Sequence, residues 1–195
     1  MRAGNAAKAP FVEPWEDGPS EAERAERDLM AAMFDGLTPD LALAALSSAV
    51  MIRTPAGEAP IAELAPGDEV ETLDDGSMRI LALDPVDAPE AAPVILPRGA
   101  FGATRDGAFG PQRRIFHRSG AADLLFGAPE VLIEAADLPP ATGARPGEWN
   151  ETGPAYALTL ERPALIWANG VITESGPAPA FAAVRPVLRP MEAAA

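Results

Sequence analysis

Few side chains in this chain could do covalent chemistry. Ser47 and Ser48 are hydroxyl nucleophiles, and His117 is the single histidine that could serve them as a base. A serine attacks a carbonyl only when a base lies within hydrogen-bond reach and donors steady the developing oxyanion. Asp68, Asp74 and Asp75 are further carboxylate candidates, for acid–base work or calcium. Asp74-Asp75-Gly76 has the composition of an ordinary hairpin turn, however, and no EF-hand or nonapeptide repeat accompanies it. Arg113, Arg114 and Arg118 bracket Ile115, Phe116 and His117 as the one basic cluster. It reads as a solvated strand face, with a phosphate or carboxylate site as the alternative. GAFG occurs at 99–102 and again at 107–110. Neither copy precedes the helix and lysine of a phosphate-cradling loop, so the stretch reads as a surface loop pinned by Phe101 and Phe109. With no cysteine, thiolate chemistry, disulfides and cysteine metal sites are excluded, and one histidine excludes a multi-histidine metal site. No cofactor is implied.

The 195 residues allow one substantial domain with an arm, or two small domains. Apolar residues make 48% of the chain, but many are alanines, which bury little area. Proline (22) and glycine (17) together make a fifth of it, which argues for short strands and turns over long helices. The formal net charge is −14, so a nucleic acid would be repelled overall. No apolar run approaches the ~20 residues needed to span a bilayer, and no secretory leader is visible. The expected location is cytoplasmic.

Four segments follow from the pattern. Residues 1–19 read as an extended arm in which Phe11, Val12 and Trp15 stand among prolines and acids. Such aromatics either lie on the chain's own domain or anchor to a partner's surface. Residues 20–47 read as a helical hairpin. Ser20 and Glu23 form a capping box, Gly36 stops the first helix, and Thr38-Pro39 starts a second that runs over Leu41 to Leu46. Residues 48–176 read as all-β. In Val50–Thr72, two strands flank the turns Pro55-Ala56-Gly57 and Pro66-Gly67-Asp68. Glu69–Leu73 and Met78–Leu83 form a hairpin, Asp84–Pro93 a proline-rich loop, and Asn169-Gly170 a second hairpin turn. Residues 177–195 are a Pro/Ala-rich tail that drapes over the domain.

Three blocks in this order resemble the Hint (Hedgehog/intein) domains of alphaproteobacterial proteins. The first is Ile52-Arg53-Thr54-Pro55-Ala56-Gly57 through Pro60-Ile61-Ala62-Glu63-Leu64-Ala65-Pro66-Gly67-Asp68-Glu69-Val70. The second runs from Pro111-Gln112-Arg113-Arg114-Ile115 through Leu124-Leu125-Phe126-Gly127 and Glu130-Val131-Leu132-Ile133 to Leu138. The third is Glu161-Arg162, Trp167-Ala168-Asn169-Gly170 and Thr173-Glu174-Ser175. The resemblance implies a mainly β, horseshoe-shaped fold over about residues 45–176. It also implies self-processing, in which a cysteine or serine at the domain start attacks the preceding carbonyl and a T/S-x-x-H motif polarises that amide.

The positions that carry this chemistry are occupied here by other residues. The nucleophile falls on Ala45, and T/S-x-x-H falls on Gly110-Pro111-Gln112-Arg113. Two further histidine positions of the family read Ala157 and Pro163, and His117 falls on none. The expectation is a degenerate, catalytically inactive Hint-like domain, a pseudoenzyme. It would act as a structural or protein-interaction subunit, docking through its arm or tail on a protein partner. The alternative is residual self-cleavage at Ser47 or Ser48.

Overall fold

The computed structural model describes residues 41–86, 91–149, 153–176 and 183–188. Phe11, Val12, Trp15 and the expected helix from Ser20 lie outside the described residues. The described chain is mainly β, as expected, with a single α-helix.

A 3-10 turn at Leu41–Ala44 opens it, followed by β1 (Leu46–Ser47). The helix expected through Leu46 is thus one tight turn, and β structure begins before the expected boundary at 48. The reason is tertiary. Leu46 pairs with Tyr156 on one side and Phe109 on the other and is wholly buried, so sheet pairing overrides the helical preference of an Ala/Leu run.

Two hairpins follow. β2 (Met51–Thr54) turns at Pro55-Ala56 into β3 (Gly57–Pro60). The Thr54 hydroxyl donates to the Gly57 carbonyl and accepts from the Ala56 amide, which closes the turn. Gly57 takes φ 120°, a conformation that side chains resist. A 3-10 turn (Ile61–Glu63) buries Ile61 and leads to β4 (Glu69–Thr72). β4 pairs with β5 (Gly76–Val86) around Asp74-Asp75, the hairpin turn that the sequence predicts. β5 is longer than expected, because Asp84, Pro85 and Val86 stay in the strand instead of opening the loop.

β5 joins the two parts of the sheet. Its first residues pair with β4, and Ile80 to Val86 pair with β11 (Ala155–Leu160). Three further strands are β6 (Val94–Leu96), β7 (Gly107–Phe109) and β8 (Arg114–Arg118). The second GAFG stretch is therefore strand, with Phe109 fully buried in the core, and not the expected surface loop. After β8, Ser119 caps helix α1 (Gly120–Phe126) by accepting the Ala122 amide at 3.0 Å. β9 (Glu130–Glu134) returns beside β8. β10 (Arg145–Pro146) pairs with β6. β12 (Leu165–Ala168) and β13 (Val171–Glu174) form the hairpin at Asn169-Gly170, with φ 52° and 83° at the two turn residues. With a last strand, β14, at Val187–Leu188, the strand order is β10-β6-β7-β1-β11-β5-β4-β12-β13-β8-β9-β14, with β2 and β3 branching from β12.

β14 (Val187–Leu188) belongs to the tail and runs parallel to β9. Arg185 fastens it, with Nε on Glu130 at 2.7 Å and Nη2 on Asp74 at 2.9 Å. Glu130 also accepts Arg118. The described tail residues thus lie on the chain's own sheet. Among the described residues no helix is long and apolar enough to cross a membrane.

Candidate functional site

Three of the positions that the resemblance singles out, Ala45, Gly110 and Arg113, meet at one place, where the 41–47 segment crosses the turn before β8. Ala44 and Ala45 are buried, at 3% and 0% exposure. Three consecutive carbonyls of this segment are each hydrogen-bonded from the 110–113 turn. Gln112 N donates to Leu43 O at 2.8 Å, Arg113 Nη1 to Ala44 O at 2.9 Å, and Gly110 N to Ala45 O at 2.7 Å. The turn is itself closed by Arg113 N donating to Gly110 O at 2.9 Å.

Gly110 is required by this contact. A Cβ placed there would meet Leu43 C at 2.7 Å and Ala45 N at 2.8 Å, both backbone atoms with nowhere to go. Any side chain at this position would need the 43–45 backbone to move away.

Arg113 is the feature that the sequence reading missed. Expected on a solvated face, it is 1% exposed. Its Nε donates to Thr173 Oγ1 at 3.0 Å, and Thr173 in turn donates to the Arg114 carbonyl at 2.7 Å. Burial pushes the guanidinium down to about 10, with the charge of Glu174 acting in the opposite direction. Its Nη2 has no hydrogen-bond partner among the described residues. A signal was available in the alternation along this stretch. Arg113 is two residues before Ile115, which is fully buried, so both project to the core face. Arg114 is largely buried as well and pairs with Glu174 at 2.7 Å. Only Arg118 of the expected cluster is exposed.

This arrangement has a defined chemical capacity. The Arg113 guanidinium is placed to polarise the Ala44 carbonyl, as an oxyanion donor would. Ala45, the next residue, has no atom that can attack it. An arginine that stays protonated near neutral pH also moves no protons in the way a histidine can.

The serines and His117 are not brought together. Ser47 is 2% exposed, and its carbonyl accepts Val50 N at 2.9 Å. Ser48 N donates to Pro154 O at 2.7 Å, and Gly153 abuts its hydroxyl. His117 lies on β8 with its ring edge-to-face on Phe101, centroids 5.7 Å apart. No hydrogen bond joins it to either serine among the described residues. Ala157 is buried in β11, and Pro163 sits in the link to β12. Asp68 accepts the Ala65 amide at 2.8 Å, and Asp75 pairs with Arg162 at 2.7 Å, both ordinary turn roles. Among the described residues no three His, Asp or Glu side chains cluster as metal ligands would.

Asn169 holds the other side of the fold together. It is 1% exposed; its Oδ1 accepts Met51 N at 2.8 Å and its Nδ2 donates to Asp106 O at 3.1 Å. It therefore does more than turn a hairpin, since it joins that turn to β2 and to the loop before β7.

A family model described as "Hint domain" matches residues 44–177, and the chain belongs to that family. The matched stretch begins at Ala44, the residue whose carbonyl Arg113 holds. Solved structures with a similar fold include the MchDnaB-1 intein, at 13% identity and a TM-score of 0.48, covering 67% of this chain and 99% of that one. Another is the Msm DnaB1 intein splicing domain bound with zinc, at 15% identity and 0.47, covering 66% and 98%. The gp41-1 intein matches at 12% identity and 0.44, covering 66% and 96%. No curated protein sequence matches.

Proposed function

We propose that this chain is a Hint domain without self-processing activity that serves as a structural or protein-interaction subunit of a larger assembly. The observation that carries this reading is the Ala44–Ala45 peptide. Its attacking side chain is a methyl group, it is buried, and the carbonyls on both sides are held by the 110–113 turn. A peptide held in this way has neither the nucleophile nor the freedom that an acyl shift needs. Ser47 and Ser48 are bonded through their backbones and share no hydrogen bond with His117 among the described residues, which speaks against cleavage from either serine.

The docking element in this reading is the arm at residues 1–19, with Phe11, Val12 and Trp15 as anchors. The tail is the weaker candidate, since Arg185 to Leu188 are already bonded to the chain's own sheet. The reading includes a cytoplasmic location, no bound cofactor or metal, and no nucleic acid, given a net charge of −14. The test is affinity purification of the tagged full chain from its native cells beside a version lacking residues 1–19. A protein recovered in fixed ratio with the full chain and lost from the shortened one supports the reading. Equal recovery by both moves the interface off the arm, and recovery by neither contradicts a subunit role.

A further inference from the structure

A pocket of about 350 Å³ lies between β8, β9 and α1, away from the Ala44 junction. Its inner walls are Phe101, Phe126, Ile133 and Leu188. Ala121 and Leu125, both exposed, stand at its mouth, with Leu125 55% accessible. The two polar groups that matter are His117 and Ser119, two residues apart and both lining the cavity.

Both bring spare donors. Neither ring nitrogen of His117 makes a hydrogen bond among the described residues; its one ring contact is the edge-to-face stack on Phe101. The Ser119 oxygen accepts the Ala122 amide, which leaves its proton free to donate. Among the described residues no Asp or Glu lines the cavity. The described wall thus offers no carboxylate to match these donors. The wall is also held at a cost. Phe101 adopts φ 50°, in the left-handed region that non-glycine residues avoid, and this conformation puts its ring against His117. Strain of this kind concentrates where a site needs a side chain in one place.

An apolar cavity of this size with a few convergent polar groups has the form of a small-molecule site. We propose that it binds a monocarboxylic acid with an apolar body, the carboxylate accepting from His117 and Ser119 and the body lying against Phe101, Phe126, Ile133 and Leu188. The chain's net charge of −14 opposes any anion at long range, but that field is screened within about 8 Å at physiological salt.

The sole histidine supplies a direct readout, because the folded chain has one set of imidazole resonances. The experiment titrates the full chain with octanoate, 3-phenylpropanoate and 1-octanol below their aggregation limits, following those resonances and the heat of binding. An acid should bind saturably and shift the imidazole signals, and the tighter of the two acids identifies an aliphatic or an aromatic body. His117→Phe keeps the stack on Phe101 and should weaken the acid at least about tenfold, the loss of one charge-assisted hydrogen bond. Ala121→Trp, which fills the mouth from an exposed position, should abolish binding. His117→Leu, which likewise has no donor, replaces His117→Phe if the latter does not fold. Acids that leave the imidazole unmoved would overturn the proposal, as would octanol binding as tightly as octanoate or Ala121→Trp binding like the parent.

Discussion

Gly110→Ala adds one methyl group where the 43–45 backbone crosses the turn before β8. The new Cβ would sit 2.7 Å from Leu43 C and 2.8 Å from Ala45 N, well inside the ordinary contact distance. One of the two backbones must therefore yield. The first bonds to suffer are Gly110 N to Ala45 O and Gln112 N to Leu43 O, each worth about 1 kcal/mol net. Arg113 Nη1 to Ala44 O is the third, worth about 1.5–3 kcal/mol as a bond from a charged donor. Complete loss of all three would cost roughly 3.5–5 kcal/mol on these figures. Partial relaxation brings the expected loss to about 2–4 kcal/mol, since overpacked sites recover part of the cost by shifting. For a chain of this size that lowers Tm by roughly 5–15 °C. Urea and thermal unfolding of the two proteins measure it, and hydrogen exchange should quicken at the Gln112 amide. A variant within about 0.5 kcal/mol of the parent would refute the reasoning, because it would mean that a side chain fits at this position without opening the junction.

Two further substitutions separate the contributions. Arg113→Met removes a buried cation whose lowered pKa corresponds to a net cost of roughly 3 kcal/mol, and leaves the Ala44 carbonyl and the Thr173 hydroxyl without their donor at about 2–4 kcal/mol together. The two nearly cancel, so unfolding by urea should change by less than about 2 kcal/mol; a loss above about 4 kcal/mol would show that the guanidinium is a net stabiliser. Arg185→Gln tests the strap. Hydrogen bonds from Arg118 and then Arg185 hold the Glu130 carboxyl below its usual range. A depressed carboxylate stabilises the fold above its unfolded pKa and loses that contribution as pH falls through its folded value. The variant should therefore be less stable than the parent by about 1 kcal/mol at pH 7, a partly exposed pair being worth little more. That gap should close as the pH drops below about 4.5, the ordinary carboxyl value. A gap that is unchanged across a pH series of denaturation curves contradicts this assignment.

The β hairpins were legible from local chemistry. Thr54-Pro55-Ala56-Gly57, Asp74-Asp75-Gly76 and Asn169-Gly170 each specify a turn through residues whose backbone preferences leave few alternatives. Leu41 to Ser47 was misread because alanine and leucine favour helix locally, while the slot between β7 and β11 is a long-range demand that no local pattern records. Phe109 was misread for a related reason, since glycines on both sides of a short strand look like loop. At the junction itself, Ala45 and Gly110 were singled out in the sequence by the resemblance. Their physical consequence, a glycine pressed on backbone and three carbonyls held in a row, needed coordinates. Arg113 was the largest miss. Charge suggested a surface, whereas the two-residue alternation with Ile115 pointed inward, and the alternation proved the better guide.

The most direct test of the account is the intact mass of the purified full-length chain after prolonged incubation at neutral pH, with and without hydroxylamine to intercept any ester formed at a serine. The account predicts a single species at the full 20.2 kDa in both samples. Fragments ending at Ala44, Leu46 or Ser47, above all fragments that accumulate with hydroxylamine, would contradict it and show that the domain still cuts its own backbone.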